Sequence, residues 1–159
     1  MTENLAAILG GHEFFQGVQP AHLAILAGCA SNVRFEAGET LFREGEEAHQ
    51  FFVIRHGRVA LDVFAAGRGP ITIQTAGEGE VIGWSWLFPP HHWRFSARAV
   101  EPTQAIALDG RCLTEKCDKD HSLAYEILKR FADVMSRRLD ATRLQLLDVY
   151  ASSGPTAKG

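Results

Sequence analysis

A mainly β fold with flanking helices is what the sequence predicts: a double-stranded β-helix (β-roll, jelly-roll class) followed by one long C-terminal helix. Three observations carry this reading. Between about residues 33 and 110, short apolar stretches alternate with polar residues and are broken by glycine turns at the ~8–12-residue spacing of sandwiches and barrels. On either side of that region, apolar residues recur at helical spacing. At 159 residues and 46% hydrophobic, the chain can bury one core and is too short for two ordinary domains.

Taken in order, residues 4–9 and 20–28 form apolar helical patterns, the second opened by Pro20, which suits a first-turn position. Between them His12, Glu13, Phe14 and Phe15 read as a short aromatic plug. Phe51 to Arg55 is an apolar run stopped by His56-Gly57. Val59, Leu61 and Val63 alternate with Ala60, Asp62 and Phe64, a strand with one buried face. Residues 66–70 (AGRGP) turn, Ile71, Ile73 and Thr75 resume the alternation, and Gly77 to Glu80 turn again before Val81-Ile82. Strands over 94–100 and 104–108, separated by Glu101-Pro102, complete the roll.

Beyond Leu108 the helical period returns. Asp118 and Asp120 offer N-cap chemistry for a helix over about 122–150. Along it Met135, Leu139, Thr142, Leu146 and Val149 follow steps of four, three, four and three, the a/d seam of a coiled coil. At ~1.5 Å per residue this helix is ~40 Å long and outruns a domain of this size. A second copy is its natural partner, so a homodimer is expected; folding back onto the barrel is the alternative. The domain is expected over 1–150. The tail, 151–159, lacks large apolar residues and is expected to be disordered.

Composition excludes several classes. Net charge is −3 and Lys and Arg are scattered, so no basic face forms and this chain alone is not expected to bind DNA. No apolar run reaches bilayer length, and no export signal precedes the cysteines, so no membrane association and a cytoplasmic location are expected. Cys29, Cys112 and Cys117 make no disulfide framework and read as reduced structural thiols. The five-residue gap between Cys112 and Cys117 is not zinc spacing.

The segment 83–99, GWSWLFPPHHWRFSARA, holds every tryptophan of the chain. It follows Gly79-Glu80-Val81-Ile82, and two further stretches precede it. Residues 35–46 (FEAGETLFREGE) and 51–59 (FFVIRHGRV) place glycines at turn corners with regular intervals. Together these resemble the cyclic-nucleotide-binding domain of the catabolite-activator type, over roughly residues 12 to 150. The resemblance implies a β-roll, a phosphate-binding cassette at 83–99 and a C-terminal dimerisation helix. Regulators of that family continue into a helix-turn-helix domain. This chain stops about nine residues after its last helix and is expected to act as a stand-alone module.

The resemblance also locates a ligand site at Gly83, Trp84, Ser85, Trp93, Arg94 and Ser96, with its charged anchors altered. In the family a glutamate after the cassette glycine holds the ribose hydroxyl and a cassette arginine pairs with the cyclic phosphate. Trp84 stands at the glutamate position, and indole only donates. Counting back from Ala99 puts Trp93 at the arginine position, whereas a one-residue gap restores Arg94. Strand parity favours Trp93 inward and Arg94 at the rim. Each lost charge-assisted contact is worth about 1.5–3 kcal/mol, so losing both weakens nucleotide binding by about two to four orders of magnitude. The tryptophans either fill the vacated cavity or wall a largely apolar small-ligand site.

Two functions follow: a sensory module answering a small-molecule ligand or a separate protein partner, or a ligand-free interaction scaffold. Catalysis is not expected. The seven histidines contain no H-x-H pair for a metal-dependent β-roll enzyme, and no nucleophile–base or paired-carboxylate set shares a face. No catalytic residue, metal or cofactor is assigned.

Overall fold

The computed structural model describes residues 4–153. The chain divides into a unit up to Ala124 and a second from Tyr125.

In the first unit, helix α1 (Leu5–Gly10) is capped by the Asn4 side chain, a 3-10 turn covers Glu13–Phe15, and α2 (Pro20–Ala27) starts at Pro20. Eight strands follow: β1 (Ala30–Phe35), β2 (Thr40–Phe42), β3 (Gln50–His56), β4 (Arg58–Ala65), β5 (Gly69–Gly77), β6 (Val81–Ile82), β7 (Ser96–Ala99) and β8 (Thr103–Asp109). They pair antiparallel in two four-stranded sheets, ordered β1-β8-β3-β6 and β2-β7-β4-β5, the two walls of a β-roll. A second 3-10 turn, Ser85–Leu87, lies between β6 and β7.

Alternation in the sequence becomes the inside and outside of the roll. Phe52, Ile54, Val59, Leu61, Ile82 and Ala97 meet in its interior with Phe42 and Trp93. Phe51, one residue off in β3, packs on the opposite face, edge-on to Phe14 of the aromatic plug with centroids 6.2 Å apart. β3 therefore buries residues 51–54 completely, which is why it reads as a continuous apolar run and not as an alternation. The β3–β4 corner requires glycine: Gly57 has φ +104°, and a Cβ there would stand 2.5 Å from Thr103 Oγ1.

Four features differ from the sequence reading. First, β1 begins at Ala30, pairing with Leu108, three residues before the expected start of the roll. Second, a helix, α3 (Gly110–Lys119), precedes the long one. Asp109 caps it by accepting from the Arg111 and Cys112 amides, a signal that the acid-rich 118–120 stretch overshadowed. Third, Cys29 and Cys112 are not free thiols but are joined by a disulfide, their Cα atoms 5.7 Å apart across a sequence separation of 83. The β1–β8 ladder brings their segments together, a juxtaposition that cysteine spacing does not encode. Cys117 is free. Fourth, α4 (His121–Ser153) runs three residues into the tail that was expected to be disordered; residues 154–159 lie outside the described residues.

Asp120, the single residue between α3 and α4, caps α4 by accepting from the Leu123 amide at 3.1 Å. In the second unit α4 carries i,i+4 pairs Arg130–Glu126 and Arg137–Asp133. No helix among the described residues is long and apolar enough to cross a membrane.

His12 links the aromatic plug to β3. Its Nε2–H donates to the Ile54 carbonyl at 2.9 Å, while Nδ1 accepts from the Phe14 amide at 3.1 Å. The Phe14 contact requires the neutral ring, since a protonated Nδ1 cannot accept, whereas the Ile54 contact is kept in either state. Burial is the largest influence and lowers its pKa from the ordinary 6.5, outweighing the Ile54 carbonyl and the acids Glu13 and Glu78; Arg55 adds to the lowering. Between the lowered value and 6.5 the unfolded chain binds more protons than the folded one. Stability from this site is thus complete above 6.5 and declines as pH falls toward the lowered value. Urea unfolding across mildly acidic pH should show this slope, and His12→Gln should flatten it; an unchanged slope would remove His12 as its source.

Candidate functional site

The stretch between β6 and β7 is built around Gly83. Its φ of +92° is open to glycine, and a Cβ there would lie 2.9 Å from the Trp93 ring. Trp93 is 4% exposed. Its ring stacks on Phe42, with centroids 3.6 Å apart and planes 12° from parallel. Phe42 in turn stacks on Phe52 at 6.0 Å and meets Phe95 at 5.7 Å.

The backbone fixes this inward direction. Trp93 N–H donates to Glu46 O at 2.9 Å, and Gly45 N–H donates to Trp93 O at 2.8 Å. With both main-chain groups tied to the 43–47 turn, the side chain is committed to the interior. Arg94, next along, is exposed at the surface. Ser96 sits on the outward side of β7, its Oγ accepting from the Glu44 amide at 2.9 Å. Arg98 shares that face and donates to Asp62 Oδ2 at 3.3 Å, while Thr72 donates to Asp62 Oδ1 at 2.6 Å. Ala97 and Ala99, fully buried, point the other way.

The remaining cassette residues form the 3-10 turn. Trp84 is half-buried at its start, and Leu87 N–H donates to its carbonyl at 3.0 Å. Ser85 and Trp86 are buried. The Trp86 ring stacks on Phe51, centroids 5.5 Å apart, and covers Gly110 so closely that a Cβ there would stand 2.9 Å from it. The cassette is therefore in contact with the first residue of α3. His91, at φ 59° after the cis Pro89-Pro90 bond, holds the Trp86 carbonyl through Nδ1 at 3.0 Å.

The six residues singled out from the sequence thus separate into three environments. Gly83 and Trp93 are in contact inside the roll, Trp84 and Ser85 belong to the turn, and Arg94 and Ser96 are turned away from the interior. Sequence reasoning missed Phe42, the stacking partner. It stood within the FEAGETLFREGE turn motif and drew attention only as part of that pattern. The Trp86–Gly110 contact left no signal, since α3 itself was not foreseen.

Three clefts among the described residues have volumes of about 390, 280 and 330 Å³. They are lined around His12 and Glu78, around Trp86 and Arg111, and around Arg34 and Gln104, and none of the three borders Gly83, Trp84 or Trp93. Among the described residues no three His, Cys, Asp or Glu side chains cluster in a way that could hold a metal ion.

Comparisons with known proteins agree with this architecture. The family model for the cyclic nucleotide-binding domain matches residues 32–120. The CRP-like cAMP-activated global transcriptional regulator of Mycobacterium tuberculosis is 26% identical over 148 residues, 93% of this chain and 64% of that protein. The chain therefore spans less than two thirds of that relative's length. Among solved structures, a candidate cyclic nucleotide-binding protein of Geobacter metallireducens superposes with a TM-score of 0.75 at 23% identity, covering 87% of this chain and 99% of that one. The regulatory subunit of a cAMP-independent protein kinase A from Trypanosoma brucei gives a TM-score of 0.67 at 21% identity, covering 82% and 46%. At these identities the structures show a shared fold.

Truncating the inward ring tests the packing directly. Trp93→Ala should cost about 3–5 kcal/mol of unfolding free energy by removing a buried aromatic and leaving a cavity beside Phe42. Chemical denaturation measures it; a loss below about 1 kcal/mol would mean that the ring contributes little to the core.

Proposed function

Since the chain belongs to the cyclic nucleotide-binding domain family, we propose that it is a regulatory module that does not hold cyclic AMP or cyclic GMP in the usual way. In this reading it signals through a second copy of itself or a separate protein partner. The observation that supports this most is the Trp93–Phe42 stack over Gly83, 3.6 Å between ring centroids. The family resemblance puts the nucleotide beside the cassette glycine, and in this chain an indole ring is packed there. A nucleotide entering that space has to expel a buried tryptophan, at about 3–5 kcal/mol, and then lacks the carboxylate and arginine contacts of the family. Membership alone does not decide the matter. The Mycobacterium tuberculosis relative is described as cAMP-activated and the Trypanosoma brucei subunit as cAMP-independent.

Ligand-free packing, with the module acting as an interaction scaffold, is favoured over an apolar-ligand site by the same stack, because the ring already has its partner. Isothermal titration with cyclic AMP and cyclic GMP should show no binding tighter than about 100 µM. Low-micromolar binding of either would overturn the reading.

The proposed output is a parallel homodimer through α4. Leu139, Leu146 and Val149 are 51%, 54% and 59% exposed, and they fall on one line with Met135 and Thr142. Thr142 turns its hydroxyl back on the helix, donating to the Arg138 carbonyl at 2.9 Å. Leu128, 50% exposed and one heptad before Met135, continues the same line upstream. Light scattering should give a dimer at tens of micromolar, and Leu139→Asp with Leu146→Asp should give monomers by burying like charges across the two-fold. A monomeric wild type would refute this output route.

A further inference from the structure

We propose that the Cys29–Cys112 bond is a reversible thiol–disulfide latch on α3, opened by dithiol reductants, which sets how firmly this helix is held against α2 and the sheet. The inference goes beyond the regulatory reading above and does not depend on it.

Noncovalent anchoring of α3 is sparse. Of its ten residues only Gly110 and Leu113 are buried. Its first amide donates to the His49 carbonyl at 2.8 Å, and Trp86 covers Gly110. Beyond these, α2 and the short segment after it brace the α3 segment at both ends. Cys29, which follows the Gly28 cap of α2, bonds to Cys112 in the first turn. His22 of α2 faces Asp120 just past the last turn, Nε2 to Oδ2 at 3.7 Å. The covalent tie is therefore the stronger of two struts.

Opening that tie has a local effect. The β1–β8 ladder stays closed beside it, through the Ala30–Leu108 pair and the Asp109 amide donating to the Cys29 carbonyl at 2.9 Å. The roll keeps its own aromatic core, so the bond is not what lets this chain fold, as it is in small disulfide-dense domains. What it constrains is α3 and, across the single residue Asp120, the start of α4.

The chemistry is confined to this pair. Cys112 is the partly exposed partner, whereas Cys29 is 7% exposed, so an incoming thiolate attacks the Cys112 sulfur and Cys29 leaves. The second thiol of the reductant then displaces Cys112. Two electrons pass from the dithiol to the pair, the Cys29–Cys112 bond breaks, both cysteines take up protons, and the reductant closes to its own disulfide. Cys117 does not compete for exchange: burial, and then Asp118 and Asp120, push its thiol pKa up and keep it protonated.

The test uses the whole chain. Alkylation of the air-oxidised, denatured protein should label Cys117 alone, and after dithiothreitol all three cysteines should be labelled. Amide hydrogen exchange over residues 110–119 should become on the order of tenfold faster on reduction, while exchange in β3 and β8 stays unchanged. Cys29→Ser with Cys112→Ser should behave like the reduced protein with or without reductant, and Cys117→Ser should respond like wild type. Should the double variant not fold, the reduced wild type still gives the reading. Three labelled cysteines in the oxidised protein, or equal α3 exchange in both redox states, would overturn the latch.

Discussion

Burial of β3 on both faces is the constraint on which the first unit depends. Its inward residues, Phe52 and Ile54, belong to the interior of the roll, while Phe51 receives Phe14 of the N-terminal plug and the stacked ring of Trp86. The same strand supplies the carbonyl that holds His12. A slip of one residue would exchange Phe51 with Phe52 and misplace the plug, the cassette and the roll interior together. Its neighbour β8 enforces the register by pairing from Gln50–Asp109 to His56–Gln104.

What fills the roll follows from the sizes of the residues around it. Ala76, Ala97, Ala105 and Ala107 come inward from three strands and leave room that their own side chains cannot occupy. Interiors pack to near-crystalline density, so that room has to hold something. Here Phe42, Phe52 and Trp93 hold it, as a run of stacked rings. Small residues on the strands and large rings between them together make up the core of the roll.

Much of the architecture was legible in the sequence because glycine at reversals and period-2 alternation are local signals. Gly57 and the 51–55 run marked the β3–β4 hairpin, and Pro20 and Asp120 marked helix starts. The candidate site was only partly legible. The cassette could be located from its glycine and tryptophans, and strand parity distinguished the faces of β7. The rest depends on contacts between residues distant in sequence. Phe42 meets Trp93 from about a third of the chain away, Trp86 meets Gly110 with β7 and β8 between them in sequence, and Cys29 meets Cys112 over a separation of 83. No periodicity in one strand announces what arrives from another. The α3 helix escaped for a different reason: Asp109, its cap, is also the last residue of β8, so strand and helix signals run together.

All three tryptophans of the chain lie within the cassette, so its tryptophan fluorescence originates there and nowhere else. Their surroundings differ. Trp93 is sealed in the interior against Phe42, Trp86 is covered by Phe51 and Gly110, and Trp84 is partly open to water. Emission from the first two belongs to an apolar medium and that of Trp84 to a wetter one. The protein thus carries a built-in optical probe of its own cassette: a red shift reports a ring leaving its stack, while quenching by a water-soluble reagent falls first on Trp84.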